Sequence, residues 1–386
     1  MFSKNLSYKN FNVSKPNISS KNKISKALKN FISEKSSILS SMSNNYKDSY
    51  NKSFLSKFKN INEIFLIGMG GSVLGAKAIY SFLKPKKKKL IFIDNYLKKN
   101  IKSKKKSLNI IISKSGNTLE TISNFNVIKK KNDMNIFITE NKDSYLMRVA
   151  SKLKSDVIHH NNFIGGRYSV LSEVGMLPAE LMGLRPSKFR RFNSLIKNKS
   201  FLNSLVANVS NILELSKQNK TNSIILNYDE DSEDLFKWYQ QLVAESLGKN
   251  KKGFLPVISS VPKDNHSLMQ YFLDGNRNNF FTFFFVKDNK SLKINSKNLL
   301  NSHNFLRNKN LNDICYSQYL ATEKVFKQRK IPFRSFVLKN KNEETLGELF
   351  TFFILETIIL GKTMNINPYD QPAVELIKKE TKKILA

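Results

Sequence analysis

From residue 61 onward the chain alternates short apolar runs with longer amphipathic stretches. The runs EIFLIGMG, KLIFID, LNIIISKS, MNIFITE and SDVIHH are rich in Ile, Leu and Phe, and a segment of helix length separates each from the next. That alternation predicts βαβ units, with parallel strands in one sheet and helices on its faces. GGRYSVLSEVGMLPAELMG follows and reads as a helix with a proline inside it. A polar stretch from about Pro186 to Asn222 leads to a second alternating set, NSIILNYD, FLPVISS, FFTFFFVKD and IPFRSFVLK. Two helices close the chain, ETLGELFTFFILETIILGKTM and QPAVELIKKETKKILA, joined by the turn NINPYD. Residues 1–60 are polar with weak helical periodicity and predict an outer helical arm. The expected organisation is an arm (1–60), two α/β domains (61–190 and 191–345) and C-terminal helices (346–386).

Composition narrows the functional classes. With 386 residues and 40% hydrophobic content, the chain can bury two substantial cores. The single cysteine, Cys315, excludes an intramolecular disulfide and a thiol-rich metal site, and points to a reducing cytoplasm. The most apolar run, TFFILETIIL, carries Glu356 and falls short of the ~20 apolar residues that cross a bilayer, so it reads as a buried helix. The first 25 or so residues are basic, serine-rich and acid-free, as a transit peptide would be. The same bias recurs at KPKKKKL, KSKKKSLN and KINSKNLLNS, so a chain-wide drift in composition explains it more simply.

The formal charge is +35, from 65 Lys and Arg against 30 Asp and Glu. A nucleic-acid surface would gather its cations on one face with aromatics among them. Here the lysine runs fall between apolar segments and the 29 phenylalanines mostly within them. Neither a nucleic-acid nor a membrane partner is expected, although so positive a field attracts small anions.

Two turns after predicted strands carry candidate chemistry. IFLIGMGGSVLGAKAIY places Gly68, Gly70, Gly71 and Gly75 between a strand and a helix. A dinucleotide fingerprint would need a small residue where Val73 stands, so that reading fails. IIISKSGNTLETISNF crowds Ser113, Ser115 and Thr118 around a glycine as a helix begins. Hydroxyls and backbone N–H groups at a helix N-terminus suit a phosphate monoester. A plain serine-rich cap, with Glu120 closing a capping box, accounts for the same residues equally well. Glu245 in LVAESLGKN poses a similar choice, between a solvated surface acid and a base that exchanges protons.

SKSGNTLET after a strand resembles the phosphosugar-binding loop of sugar isomerase (SIS) domains, and GMGGSVLG resembles the glycine turn beside it. GGRYSVLS, WYQQLVAESLGK, PKDNHSLMQYFLDG and NPYDQPAVELIKK, in this order, resemble the glucose-6-phosphate isomerase family. The likeness runs from about residue 60 to the C-terminus. It implies two SIS-type three-layer α/β/α sandwich domains with mainly parallel sheets. It also implies isomerisation of glucose 6-phosphate and fructose 6-phosphate through a cis-enediol, with no metal or organic cofactor.

By the same resemblance, Glu245 is the base that moves a proton between carbons 2 and 1, with Gln241 four residues before it on the same helical face. Gly248 marks the helix end, where the carbonyls' partial negative charge disfavours a carboxylate and makes it a better base. His266 matches the ring-opening histidine, which in the family reaches the site from a neighbouring subunit and so implies a homodimer. His159, His160 and His303 read as structural or exposed. Lys378 matches the lysine near the ring oxygen, and Arg167 the cation that stabilises the enediolate. Gln371 matches a phosphate-binding glutamine. Gly71, Ser72, Ser113, Lys114, Ser115 and Thr118 would form the phosphate end, Lys114 through its backbone. Ser115 and Asn117 stand where many relatives carry threonines, and Met69 where they carry isoleucine. The chain is also shorter than most members.

Two other functions compete. A dual phosphoglucose and phosphomannose isomerase would lack the full GGRYS and DQPAVE motifs. A non-catalytic SIS regulator could keep Ser113 to Thr118 but has no need of Glu245, His266 and Arg167 together.

Overall fold

The computed structural model describes residues 4–13, 18–99, 101, 106–130, 133–288 and 290–386. Part of the basic N-terminal segment and part of the KSKKKSLN run lie outside them. The chain opens with strand β1 (Leu6–Lys9) and helix α1 (Ile18–Ser33). Next come β2 (Glu63–Gly68), α2 (Leu74–Leu83), β3 (Lys89–Ile93), β4 (Leu108–Ile112) and α3 (Leu119–Ile128). β5 (Met134–Thr139), α4 (Tyr145–Lys152), β6 (Asp156–His159), α5 (Glu173–Leu181) and α6 (Lys199–Lys217) follow. The second set is β7 (Asn222–Asn227), α7 (Glu233–Leu247), β8 (Leu255–Ser260), β9 (Asn279–Val286), α8 (Leu311–Gln328) and β10 (Phe333–Leu338). Helices α9 (Glu343–Thr363) and α10 (Pro372–Leu385) end the chain.

The strands form two five-stranded sheets, β3-β2-β4-β5-β6 and β1-β10-β9-β7-β8. All pairings are parallel except β1 on β10, where Leu6 pairs Leu338 and Lys9 pairs Ser335. β4 and β9 are buried from end to end, which is why parallel strands covered on both faces read as unbroken apolar runs. The strand order reverses between β2 and β4 and again between β7 and β9. At such a reversal the connections leave toward opposite faces and open a crevice beyond the strands' C-terminal ends, where α/β sheets bind ligands.

Helix α7 packs on α2 of the first sheet's layer and on β8 and α9 of the second, so it joins the two halves. β1 is an element that the polar N-terminal pattern does not predict. It is fixed by Tyr8, whose hydroxyl donates to Asn208 Oδ1 at 3.0 Å and whose ring meets Phe336 and Phe352. Glu356 is paired in the core with Arg334, both wholly buried. Arg334 Nη1 also donates to Asn208 Oδ1 (2.8 Å), Nη2 to Tyr239 Oη (3.2 Å) and Nε to Thr282 Oγ1 (2.9 Å), while Tyr239 Oη donates to Glu356 Oε1 (2.7 Å). Every charged atom of the pair thus has a partner, the condition under which a buried ion pair is tolerated. Among the described residues, no helix is long and apolar enough to cross a membrane.

Candidate active site

The first crevice is built from interlocked turns. β2 ends at Gly68, and the 3-10 turn Gly70–Ser72 leads into α2. Gly70 has φ +53°, a left-handed conformation that L side chains resist, and a Cβ there would meet Gln241 Nε2 at 2.7 Å. Gly71 lies flat on the Gly166–Arg167 peptide, and a Cβ would come within 3.0 Å of its carbonyl and nitrogen atoms. This backbone contact brings the turn Gly166–Leu171, and Arg167 with it, beside the end of α7.

Arg167 is buried, and four groups besides Glu245 hold its guanidinium. Nε donates to Ser246 Oγ at 2.8 Å, and Nη1 to Gln371 Oε1 at 2.8 Å. Nη2 donates to the carbonyls of Pro368 (2.7 Å) and Asp370 (3.1 Å). Nη1 also lies 3.1 Å from Glu245 Oε1, and Gln241 Nε2 donates to Glu245 Oε2 at 2.8 Å. These contacts, more than the helix end, define the surroundings of the Glu245 carboxylate. Its side chain keeps 24% exposure and faces a cavity of about 510 Å³ that Lys249, Asn367 and Gln371 also line. The carboxylate is held on two sides and reachable from a third.

The NINPYD turn that carries Gln371 is pinned from below. Lys249 Nζ pairs with Asp370 Oδ1 at 2.5 Å and also donates to the Asn367 carbonyl. Tyr168 Oη donates to the Pro368 carbonyl at 2.9 Å and lies 2.8 Å from Ser246 Oγ. Tyr168, Ser246, Lys249 and Asp370 are site members that the sequence reading did not assign. Their only signal was membership of GGRYS, ESLGK and PYDQ.

At the end of β4, beside the Gly68 turn, Ser113 Oγ lies 2.8 Å from Thr118 Oγ1 and 3.4 Å from Ser115 Oγ. Thr118 precedes α3 but makes no capping bond, so the capping-box reading of Glu120 does not hold. The hydroxyls face one another instead. The Lys114 carbonyl accepts from Glu140 N (3.2 Å) and Thr139 Oγ1 (3.3 Å), while its Nζ lies 3.5 Å from Glu140 Oε1. Burial alone would raise the Glu140 carboxyl, but Lys142 and Lys114 together hold it below its usual range. Asn117 Oδ1 accepts from Tyr145 N at 3.0 Å and ties the loop to the first turn of α4. Ser72 closes the neighbouring 3-10 turn. Behind the loop His160 is buried, and burial pushes its imidazole down to about 4, so it is neutral at pH 7.

Two expected members do not line the Glu245 cavity. His266 is exposed after the turn Lys263–Asn265, whose Asp264 accepts from Ser259 Oγ (3.0 Å) and Ser260 N (2.8 Å). Lys378 is exposed on α10 and pairs with Glu375 at 2.7 Å; α10 has no buried residue in the single chain. Among the described residues, no cluster of three or more His, Cys, Asp or Glu could hold a metal ion.

Comparison with known proteins adds independent findings. The model of the family described as phosphoglucose isomerase matches residues 17–260. The chain is 35% identical to the glucose-6-phosphate isomerase of Methanocaldococcus jannaschii, covering 84% of this chain and 85% of that one. It is 33% identical to that of Acholeplasma laidlawii, over 85% and 84% of the two chains. Among solved structures, a hypothetical protein from Thermus thermophilus superposes with a TM-score of 0.81 at 23% identity, over 95% and 94%. A glucose-6-phosphate isomerase from Chlamydia trachomatis superposes with 0.67 at 20%, over 86% and 71%. At these identities the two structures speak to the fold, which they share with this chain.

Proposed function

The chain belongs to the phosphoglucose isomerase family, and we propose that its interconversion of glucose 6-phosphate and fructose 6-phosphate runs on Glu245 as the base, with Arg167 beside it. One carboxylate suffices for the proton transfer. It takes the proton from carbon 2 of the open-chain aldose and returns it to carbon 1 on the same face. The enediolate formed between these steps carries negative charge on oxygen. Arg167, already fixed by Ser246, Gln371 and two carbonyls, meets that charge without having to reorganise. Gln241 orients the carboxylate. The hydroxyls of Ser113, Ser115 and Thr118 and the Gly71–Ser72 turn receive the phosphate, Lys114 contributes its backbone, and Gln371 reaches the same group.

Ring opening requires a group that exchanges protons near neutral pH, and His266 is assigned to it from the second subunit of a homodimer. Lys378 assists at the ring oxygen once α10 is seated. Both are exposed in the single chain, and neither lines the cavity that Glu245 faces. A reducing cytoplasm suits the lone thiol, Cys315.

The observation that carries the reading is the Glu245 carboxylate, gripped by Gln241 and Arg167 yet open to a cavity. Glu245→Gln should cut turnover of fructose 6-phosphate by roughly 10²–10⁴-fold while substrate still binds; equal loss of binding and turnover refutes the role. Mixing the inactive Glu245→Gln and His266→Ala proteins tests the shared site. Each mixed dimer has one intact site, so roughly a quarter of native activity should return. No recovery after subunit exchange would sink the trans arrangement. Comparable turnover of mannose 6-phosphate would favour the dual-specificity relative.

A further inference from the structure

A second basic cavity lies away from the carboxylate. Under the N-terminal edge of the second sheet, a cavity of about 1050 Å³ adjoins one of about 430 Å³. Val13, Leu215, Gln218 and Lys220 line both, and neither shares a lining residue with the cavity around Glu245. Among the described residues, five lysines line the larger one, Lys23, Lys217, Lys220, Lys251 and Lys252. Arg277, Arg329 and Lys330 line the smaller. Among the described residues, the carboxylate that lines the larger cavity is Glu214, which is already 3.2 Å from Lys217; Asp274 lies 4.0 Å from Arg329.

We propose that this cleft is a second anion site, built for a small ligand carrying two or more phosphate groups. Lys220 stands at the junction of the two cavities and donates to the Arg277 carbonyl at 2.5 Å, which sets two cationic residues side by side. Burial, and next the charge of Arg277, lower the Lys220 ammonium from its usual range, as expected of a cation short of counter-charge. The first turn of α1 adds Ser19 and Ser20 and the positive end of the helix dipole. The C-terminal end of α6, which would repel an anion, is closed on itself by the N–H groups of residues 218–220, bonded to the carbonyls of residues 214–216. One phosphate monoester carries about two charges, far fewer than eight cations can balance. Several phosphates would engage Lys220 and Arg277 together with Lys251 and Lys252 through charge-assisted hydrogen bonds. This site does not depend on the assignment of Glu245.

The probe is inorganic tripolyphosphate, titrated into the full chain by calorimetry at a fixed ionic strength of ~0.15 M, where long-range attraction is screened beyond about 8 Å. One saturable site per chain is expected, both with and without saturating fructose 6-phosphate. Lys220→Gln/Arg277→Gln and, separately, Lys251→Gln/Lys252→Gln should each weaken it at least about tenfold. A control pair elsewhere, Lys57→Gln/Lys59→Gln, should leave it within about twofold. Thermal melts verify folding, and either groove variant suffices if the other fails to fold. Three outcomes overturn the proposal: no saturable binding, equal weakening by the control pair, or displacement by fructose 6-phosphate.

Discussion

A single methyl group at Gly71 tests whether the two glycine turns position the catalytic pair. In Gly71→Ala the new Cβ would sit 2.5 Å from Arg167 N and closer still to the Gly166 carbonyl, whereas ordinary contact begins at 3.4 Å. None of these atoms is the end of a flexible side chain, so the turns Gly70–Ser72 and Gly166–Leu171 must part by about 1 Å. Arg167 rides on the displaced turn, while its partners Ser246, Glu245 and Gln371 belong to other segments. A shift of ~1 Å in such a group costs on the order of 10²-fold in rate, or about 2.7 kcal/mol. Overpacking should also remove ~1–3 kcal/mol of stability. Gly165→Ala supplies the comparison, because its Cβ would meet only Tyr168 Cδ2 at 3.6 Å. A coupled spectrophotometric assay of both variants, run well below their melting temperatures, should find kcat about 10²-fold down for Gly71→Ala and within about threefold for Gly165→Ala. Equal, mild effects from the two substitutions would refute the claim that this backbone contact aims Arg167.

Ser246→Ala removes the acceptor of Arg167 Nε and the partner of Tyr168 Oη, both buried; kcat/KM should fall roughly 5- to 150-fold, equivalent to ~1–3 kcal/mol, with KM nearly unchanged, and a loss confined to KM would contradict the positioning role. Arg334→Met leaves the Glu356 carboxyl buried without its cation, so denaturant unfolding should show ~3–5 kcal/mol less stability; a loss under about 1 kcal/mol would mean that the surrounding hydroxyls and amides suffice. His160 has an ordinary value of 6.5 and a folded value of about 4, so its contribution to stability is whole above pH 6.5 and lost as pH falls toward 4, roughly 3 kcal/mol in all. His160→Gln should therefore lose less melting temperature than the native chain between pH 7.5 and 5, and parallel melting curves would argue against a buried neutral imidazole.

The nine parallel strands were legible because each is a short apolar run set between amphipathic segments, most fully in β4 and β9, which are buried from end to end. β1 was not, since a four-residue edge strand with Leu6 alone fully buried has no periodicity to read. The polar stretch before β7 hid α6 for a different reason. Asn208, Ser210 and Asn211 are polar yet buried there, and Asn208 is needed by Arg334 and Glu356, residues more than a hundred positions away. The site divides in the same way. Glu245, Gln241, Arg167 and Gln371 stand in motifs that the resemblance to the family singles out. Ser246, Tyr168, Lys249 and Asp370 act by holding those residues, and only tertiary contacts assign such work. Asn117, where many relatives carry threonine, ties the loop proposed to bind phosphate to Tyr145 N rather than offering a hydroxyl.

Helix α7 explains why a carboxylate in a largely apolar helix can be both reachable and fixed. Tyr239 and Ser246, seven residues and about two turns apart, share its inward face. The first belongs to the Arg334–Glu356 network of the second sheet, and the second lies under Arg167. Gln241 and Glu245, one turn apart, face the glycine turn of the first sheet. The helix is therefore loaded from both halves of the molecule, by α2 on one side and by β8 and α9 on the other. A carboxylate carried on such an element keeps its aim without relying on a loop. Lys249, just past the helix end, extends the same support to the turn bearing Gln371. The tightly held part of the site is thus the one that the proposed function assigns to proton transfer and charge stabilisation. On the same proposal ring opening falls to His266 and Lys378, which are exposed in the single chain, so the proposal requires association of subunits and seating of α10 for that first step.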